Sequence, residues 1–295
     1  MKCFYHSADL DGHCSGAIVK YAQNIGMLPH RQEKFCELIG INYGDAFPWE
    51  SIEPTETIYM VDFSLPIEDM GRLHATTNLI WIDHHKTALD AAKNVGVKLM
   101  GLQKEGFAGC ELAWEYIFGM KKYPPTAVQL LGRYDVWDHG HEEVLPFQYG
   151  MRQFDNTHPN SEESEDIWNL VLSDDQEFLN AVIDKGITIL EFADKENSKY
   201  AKSCAFEVDF MGHKCVVVNR GMTNSKVFDS IFDPEKHDIM ITFVFRKGLW
   251  NFSLYSIPEK EIDCGLIAKE YGGGGHPCAA GFSNAEIPFI SKPTL

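Results

Sequence analysis

Three short apolar runs early in the chain end on acidic side chains. Lys2–His6 leads into "SADLD", which carries Asp9 and Asp11; "TIYMVD" ends on Asp62; and "NLIWID" ends on Asp83, followed by His84-His85. Each run has the length and residue types of a strand. Helical patterns lie between and after them: Gly12–Ile25, Pro66–Ala75 with Pro66 near its first turn, Gly109–Phe118 and Thr126–Leu131. Strand–helix alternation predicts a parallel sheet with helices on both faces. The carboxyl ends of such strands share one edge, where ligands bind. The acidic strand ends are therefore expected to meet.

Aspartates crowded on one edge repel one another, and the sequence sets no matching Lys or Arg at these ends. Divalent cations are the simplest neutralisers. Mixed Asp and His donors suit Mn²⁺, with Mg²⁺ or Co²⁺ as alternatives, better than Ca²⁺. Asp9 and Asp11 are two positions apart, so in extended backbone they point to the same side and each can serve a different ion. Two ions roughly 3.5–4 Å apart need a carboxylate between them; Asp62, alone at its strand end, is the natural bridge. Singly, each feature has a plainer reading, such as a helix cap for Asp62 ahead of Pro66. Together they favour a metal centre.

The chain has 295 residues, which suits two domains of ordinary size. With 26 Lys plus Arg against 43 Asp plus Glu, its formal charge is −17. That balance disfavours general binding of long nucleic acid, because phosphate neutralisation supplies most non-specific affinity. A short phosphorylated substrate at one cleft remains compatible. No run approaches the ~18 apolar residues of a membrane span, the N-terminus has no signal-peptide pattern, and the eight cysteines form no CxxC pair. A cytoplasmic protein with reduced thiols is expected.

Residues 156–166, "NTHPNSEESED", read as an acidic loop, and 167–202 are helix-rich and almost free of Gly and Pro. Strand signals return after Ala205 in "FEVDFMGHKCVVVN" and "IMITFVFRKGLWNFSLYSI", the latter turning as a hairpin at Arg246-Lys247-Gly248. Ile262–Tyr271 reads as a helix stopped by Gly272–Gly275. The expected organisation is a domain over 1–155, a helical linker over 156–203 and a smaller α/β domain over 204–295. In "YGGGGHPCAAGF" the successive glycine N–H groups can approach an anion, with His276 as a further donor. A helix C-cap and turn is the other reading of that run.

"HSADLDG", "VDFS" and "DHH" resemble the successive motifs of the DHH phosphoesterase superfamily, and "GGGGH" resembles the GGGH motif of the DHHA1 domain that follows DHH in many members. The resemblance spans nearly the whole chain. It implies an N-terminal parallel-sheet catalytic DHH domain and a C-terminal substrate-binding DHHA1 domain. It also implies that His6, Asp9 and Asp62 hold one ion and that Asp11, Asp62, His84 and Asp135 hold the other. Asp135 is the fitting acid in "GRYDVWDHGH"; Asp138 is its alternative, and His139 and His141 read as loop histidines. The resemblance makes Asp83 the group that orients a neighbouring imidazole and sets His85 at the scissile phosphate, with Gly273, Gly274, Gly275 and His276 at the substrate's far end. Many DHHA1 domains carry an Arg in a strand pattern like "SLRS"; here Tyr255 stands in that place, in "SLYS", and Arg246, Lys247 and Arg220 are the cations able to compensate.

The implied activity is Mn²⁺-dependent, two-metal hydrolysis of phosphodiester or phosphomonoester bonds. Its expected substrates are short oligonucleotides, dinucleotides or nucleoside bisphosphates. The alternatives are an exopolyphosphatase or pyrophosphatase, and a nucleotide-binding sensor without turnover. A homodimer is left open.

Overall fold

In a computed structural model, which describes residues 1–28 and 36–289, the chain divides into two units, Met1–Leu190 and Glu191–Leu295. The first is α/β. Its strands are β1 (Lys2–His6), β2 (Glu37–Ile41), β3 (Thr57–Val61), β4 (Asn78–Asp83) and β5 (Met100–Gln103), all parallel, in the order β2-β1-β3-β4-β5. Its helices are α1 (Leu10–Asn24), α2 (Ile67–Thr76), α3 (Lys86–Asn94), α4 (Gly109–Phe118), α5 (Thr126–Asp135), α6 (Val144–Met151) and α7 (Glu165–Leu172), followed by α8 (Gln176–Cys204), within which the division between the units falls.

The central strands are buried on both faces, so they read as continuous apolar runs. Tyr5, Tyr59, Val61 and Ile82 pack with Ile18 of α1, Leu112 of α4 and Val128 of α5. Phe4, Ile58, Met60 and Trp81 point the other way and pack with Met70 and Leu73 of α2 and Ala92 of α3. Each such fully buried side chain contributes about 1.5–3 kcal/mol relative to exposure. Because β2 and β3 flank β1 on opposite sides, the order of strand addition reverses there, and β1 and β3 open outward at their carboxyl ends.

The edge strands β2 and β5 escape the sequence reading, since they are short and largely half-exposed. The segment read as a linker, 156–203, is not a separate body. Trp168, Val171 and Leu172 of α7 and Leu179 and Val182 of α8 belong to the first unit's core. There α8 crosses α6 at backbone distance: a Cβ on Gly186 would lie 1.7 Å from the Pro146 carbonyl oxygen, and one on Gly150 would lie 2.0 Å from that of Val182.

The second unit is a mixed six-stranded sheet, ordered β10-β11-β9-β8-β7-β6. It comprises β6 (Phe206–Phe210), β7 (His213–Asn219), β8 (Ile239–Arg246), β9 (Leu249–Tyr255), helix α9 (Cys264–Glu270), β10 (Gly274–His276) and β11 (Ala279–Asn284). β8 and β9 form the expected hairpin. Arg246 pairs with Leu249, and Lys247 and Gly248 have φ of +54° and +84°, the two left-handed residues of a tight hairpin turn. Ile241, Phe252, Leu254 and Phe282 pack under Ile267 of α9. The eight cysteines are free thiols, and among the described residues no helix is long and apolar enough to cross a membrane.

The glycine contacts make a paired prediction. Gly186→Ala forces α6 and α8 apart and lowers stability by about 1–3 kcal/mol. Gly71→Ala, in a part of α2 where a Cβ meets nothing within 4 Å, raises stability by about 0.4–1 kcal/mol. Urea unfolding of both variants checks the contrast.

Candidate metal centre

The site is built where β1, β3 and β4 end. β1 finishes on His6, and the turn after it starts α1, with Asp9 as N-cap accepting the Gly12 N–H at 3.0 Å. Asp11 lies in the first helical turn. The extended geometry expected for this pair is therefore replaced by a helix start. The two carboxylates still diverge: Asp9 Oδ2 lies 3.1 Å from His6 Nδ1, while Asp11 turns inward, with Oδ2 3.8 Å from His84 Nε2. Gly12 permits this turn, because a Cβ there would lie 2.0 Å from the His6 carbonyl oxygen.

Asp11 is held by a distant element. Its Oδ2 accepts the Gly109 N–H at 2.7 Å and its Oδ1 the Cys110 N–H at 2.8 Å, so it caps the amino end of α4. Locally α4 has only Ala108 at its cap position, which offers no oxygen. Asp62 follows β3 with φ +52°, a left-handed conformation rare outside glycine, and its N–H donates to the Ile82 carbonyl at 2.9 Å. Gly109 makes room for it: a Cβ there would lie 2.5 Å from Asp62 Cβ.

Asp62 stands between two imidazoles. Its Oδ2 is 3.7 Å from His6 Nδ1 and its Oδ1 is 3.1 Å from His84 Nε2; Asp135 Oδ2 approaches the same His84 nitrogen at 3.4 Å. Donor atoms of His6, Asp9 and Asp62 gather within 4.8 Å of one another, and so do those of Asp11, His84 and Asp135. Asp83 is fully buried. It accepts the His84 and His85 backbone N–H groups, pairs with His85 Nδ1 at 2.7 Å, and accepts the Trp81 indole N–H at 3.2 Å.

The cluster is short of positive charge. Burial opposes the charged form of His6, but Asp62 and Asp9 outweigh it and raise the imidazole to about 11. At His84 burial is likewise overcome, chiefly by Asp62, with a rise to about 10. Burial, then Asp62 and Asp135, push Asp11 well above the usual carboxylate range. Burial lifts Asp135 to about 7 against the pull of His84. Asp62 is driven down despite its burial, because His6 and His84 face it. Beyond these His–Asp contacts, His6 Nδ1, Asp62 Oδ1 and Asp135 Oδ2 are buried and meet no well-aligned hydrogen-bond partner among the described residues. Such orphans cost about 1–3 kcal/mol each. A divalent cation satisfies both conditions, and the donor set of carboxylates and imidazoles fits one.

Asp138 lies away from the cluster, 3.4 Å from Arg133 Nη1 at the surface. His139 stacks on Tyr134 at 5.0 Å, and His141 Nδ1 accepts the Glu143 N–H. In the second unit a cavity of about 530 Å³ is lined by Arg220, Arg246, Asn251, Ser253, Gly272 and Gly273, among others. Arg220 is fixed by Asn197 Oδ1 at 3.0 Å and by the Tyr200 ring at 4.8 Å. Tyr255 does not line this cavity; it packs beside Val216, Val218 and Met240. Gly274, Gly275 and His276 form edge strand β10 rather than an open loop, with Gly274 opposite Gly281 and His276 opposite Ala279. Close packing alone requires glycine at 273 and 275, where a Cβ would lie 2.1 Å from the Gly281 and 2.6 Å from the Ala279 carbonyl oxygen. Gly274 is exposed and opens onto free space.

The fold is that of the DHH-domain proteins. A pGpG-specific phosphodiesterase, PggH of Vibrio cholerae, superposes with a TM-score of 0.54 at 12% identity, over 96% of this chain and 92% of that one. An exopolyphosphatase-related protein of Bacteroides fragilis gives 0.56 at 16% identity, over 97% and 87%. The DHH domain of a protein from a ribosomal-protein family gives 0.55 at 12%, over 95% and 81%. In sequence, the uncharacterized protein R106 of Acanthamoeba polyphaga mimivirus is 24% identical over 308 aligned positions, covering 96% of this chain and 67% of the relative. No family model matches the chain.

Two substitutions separate the candidate acids. Calorimetric titration with Mn²⁺ is expected to show Asp135→Asn losing at least about tenfold in affinity at one of two sites, the size of effect usual for a ligand shell. Asp138→Asn titrates like the parent. Equal loss in both variants, or in neither, removes Asp135 from the centre.

Proposed function

We propose that this protein is a divalent-metal-dependent phosphoesterase acting on short phosphorylated nucleotides. The observation that carries the reading is the convergence of His6, Asp9, Asp11, Asp62, His84 and Asp135 as two largely buried groups of possible metal-donor atoms, each group within 4.8 Å. His6, Asp9 and Asp62 would hold one ion; Asp11, Asp62, His84 and Asp135 would hold the other. Bound divalent ions supply a nucleophilic hydroxide at neutral pH and offset charge on phosphoryl oxygens; Mn²⁺ is the ion we infer.

The protein's own groups do the positioning. Asp83 pairs with His85 Nδ1 and orients the ring, which would donate to a phosphoryl oxygen. Asp83 raises the His85 imidazole against the effect of burial, which favours that donor role. The Gly109 and Cys110 amides hold Asp11 in place, so one ligand does not depend on its own rotamer preference. The second unit is read as the substrate-binding part. The guanidinium groups of Arg220 and Arg246, which line its cavity, suit a further phosphate.

PggH is a pGpG-specific phosphodiesterase and the Bacteroides protein is exopolyphosphatase-related, so both substrate classes belong in one assay. With Mn²⁺ and product masses as the readout, 5′-phosphorylated dinucleotides are expected to yield mononucleotides, while pyrophosphate and polyphosphate stay intact. Asp11→Asn and His84→Ala should each lower the rate by at least about 100-fold. Full activity in either variant refutes the assignment, and release of phosphate from polyphosphate alone transfers it to polyphosphate hydrolysis.

A further inference from the structure

A second cavity in the first unit adjoins the metal centre and belongs to none of the groups described above. It measures about 270 Å³ and is walled by Tyr43, Ser64, Leu65, Ile67, Trp81 and Ala88, among others. Its walls follow the site in the chain: Ser64 is two residues after Asp62, Thr87 two after His85, and Trp81 two before Asp83, whose carboxylate takes the Trp81 indole N–H. Tyr43 joins cavity and centre. Its ring lies 4.8 Å from Phe63, 5.6 Å from His6 and 6.0 Å from His85, yet the residue is 54% exposed. The Tyr43 ring thus lies beside His6 and His85 while about half of the residue stays exposed.

We propose that this cavity is a nucleobase pocket, with Tyr43 as its stacking platform; the inference rests on the phosphoesterase reading and narrows its substrate to base-bearing phosphates. Among the described residues no charged side chain lines the cavity, so neither a phosphate nor a cation is its natural occupant. Its volume falls below the roughly 300 Å³ at which pockets for whole drug-sized ligands begin. One ring system fits it better than a dinucleotide. The lining mixes apolar walls with the Thr87 hydroxyl and with Ser64, whose side chain is hydrogen-bonded to Tyr43, the surroundings of a flat heterocycle with a polar edge. Stacking tolerates any base, because every base has a π face. The pocket therefore selects for a base more than among bases, and it discriminates against inorganic polyphosphate, which has nothing to place there.

The test compares adenosine 5′-monophosphate with ribose 5-phosphate by calorimetry on the Mn²⁺-loaded full chain. The parent should bind the base-bearing ligand at least about tenfold more tightly, the scale of one stacking contact. Tyr43→Ala and Ala88→Met, which remove the platform and fill the pocket, should each erase that preference; Tyr43→Phe should keep it. Equal binding of the two ligands by the parent, or a preference intact in both disrupting variants, overturns the proposal. Failure of the parent to hydrolyse any phosphoester sinks the catalytic reading instead, and leaves the preference for the base measurable.

Discussion

The capping of α4 by Asp11 is the contact on which the site depends. It ties the start of α1 to the start of α4, elements 98 residues apart at the Asp11–Gly109 hydrogen bond. A buried carboxylate among other carboxylates needs donors, and two backbone N–H groups at a helix amino end supply them from a fixed frame. In return, α4 obtains the oxygen that Ala108 lacks. The same α4 residue, Gly109, yields the space Asp62 occupies. One helix terminus thus fixes one acid by hydrogen bonding and admits another by having no side chain.

Strain and electrostatics converge on this point. Asp62 sits in a left-handed conformation between two imidazoles, and the backbone there is locked by its N–H bond to Ile82. Conformational strain of this kind persists where surrounding structure over-determines it. Here the buried ends of β3 and β4, with Trp81 bonded to both the Phe63 carbonyl and Asp83, provide that rigidity. The charge pattern is one that a bound cation would complete.

Much of this was readable beforehand. The apolar runs at 2–6, 57–61 and 78–83 are central strands, and central strands of a parallel sheet must be apolar on both faces, so their composition announces them. The acids at their ends stand in the sequence, and parallel topology brings those ends to one edge. The edges were silent because β2 and β5 bury less and need less. The start of α1 misled for a different reason: Asp9 and Asp11 look like extended alternation, but an Asp followed by small residues is equally a helix cap. The role of Gly109 and Cys110 had no local sign beyond a helix opening without a capping side chain. Tyr43 lay in a stretch that carried no periodic signal, since its placement comes from contacts with Phe63 and His6 rather than from a regular element. In the second unit, the glycines drew attention as an anion cradle, yet tight pairing of β10 with β11 explains positions 273 and 275 without any ligand.

The strand order β2-β1-β3-β4-β5 also bears on how the chain comes to be folded. β1 occupies an interior lane, so it waits for its neighbours, and β3 is separated from it by more than fifty residues in the pairing Lys2 to Ile58. Parallel partners of this kind close large loops before they gain contact energy, which slows assembly. On a ribosome the amino-terminal segment emerges first and remains incomplete until α4 and α5 follow. The cluster of Asp11, His84 and Asp135 is therefore completed late in synthesis, because its last member follows α4 in the chain.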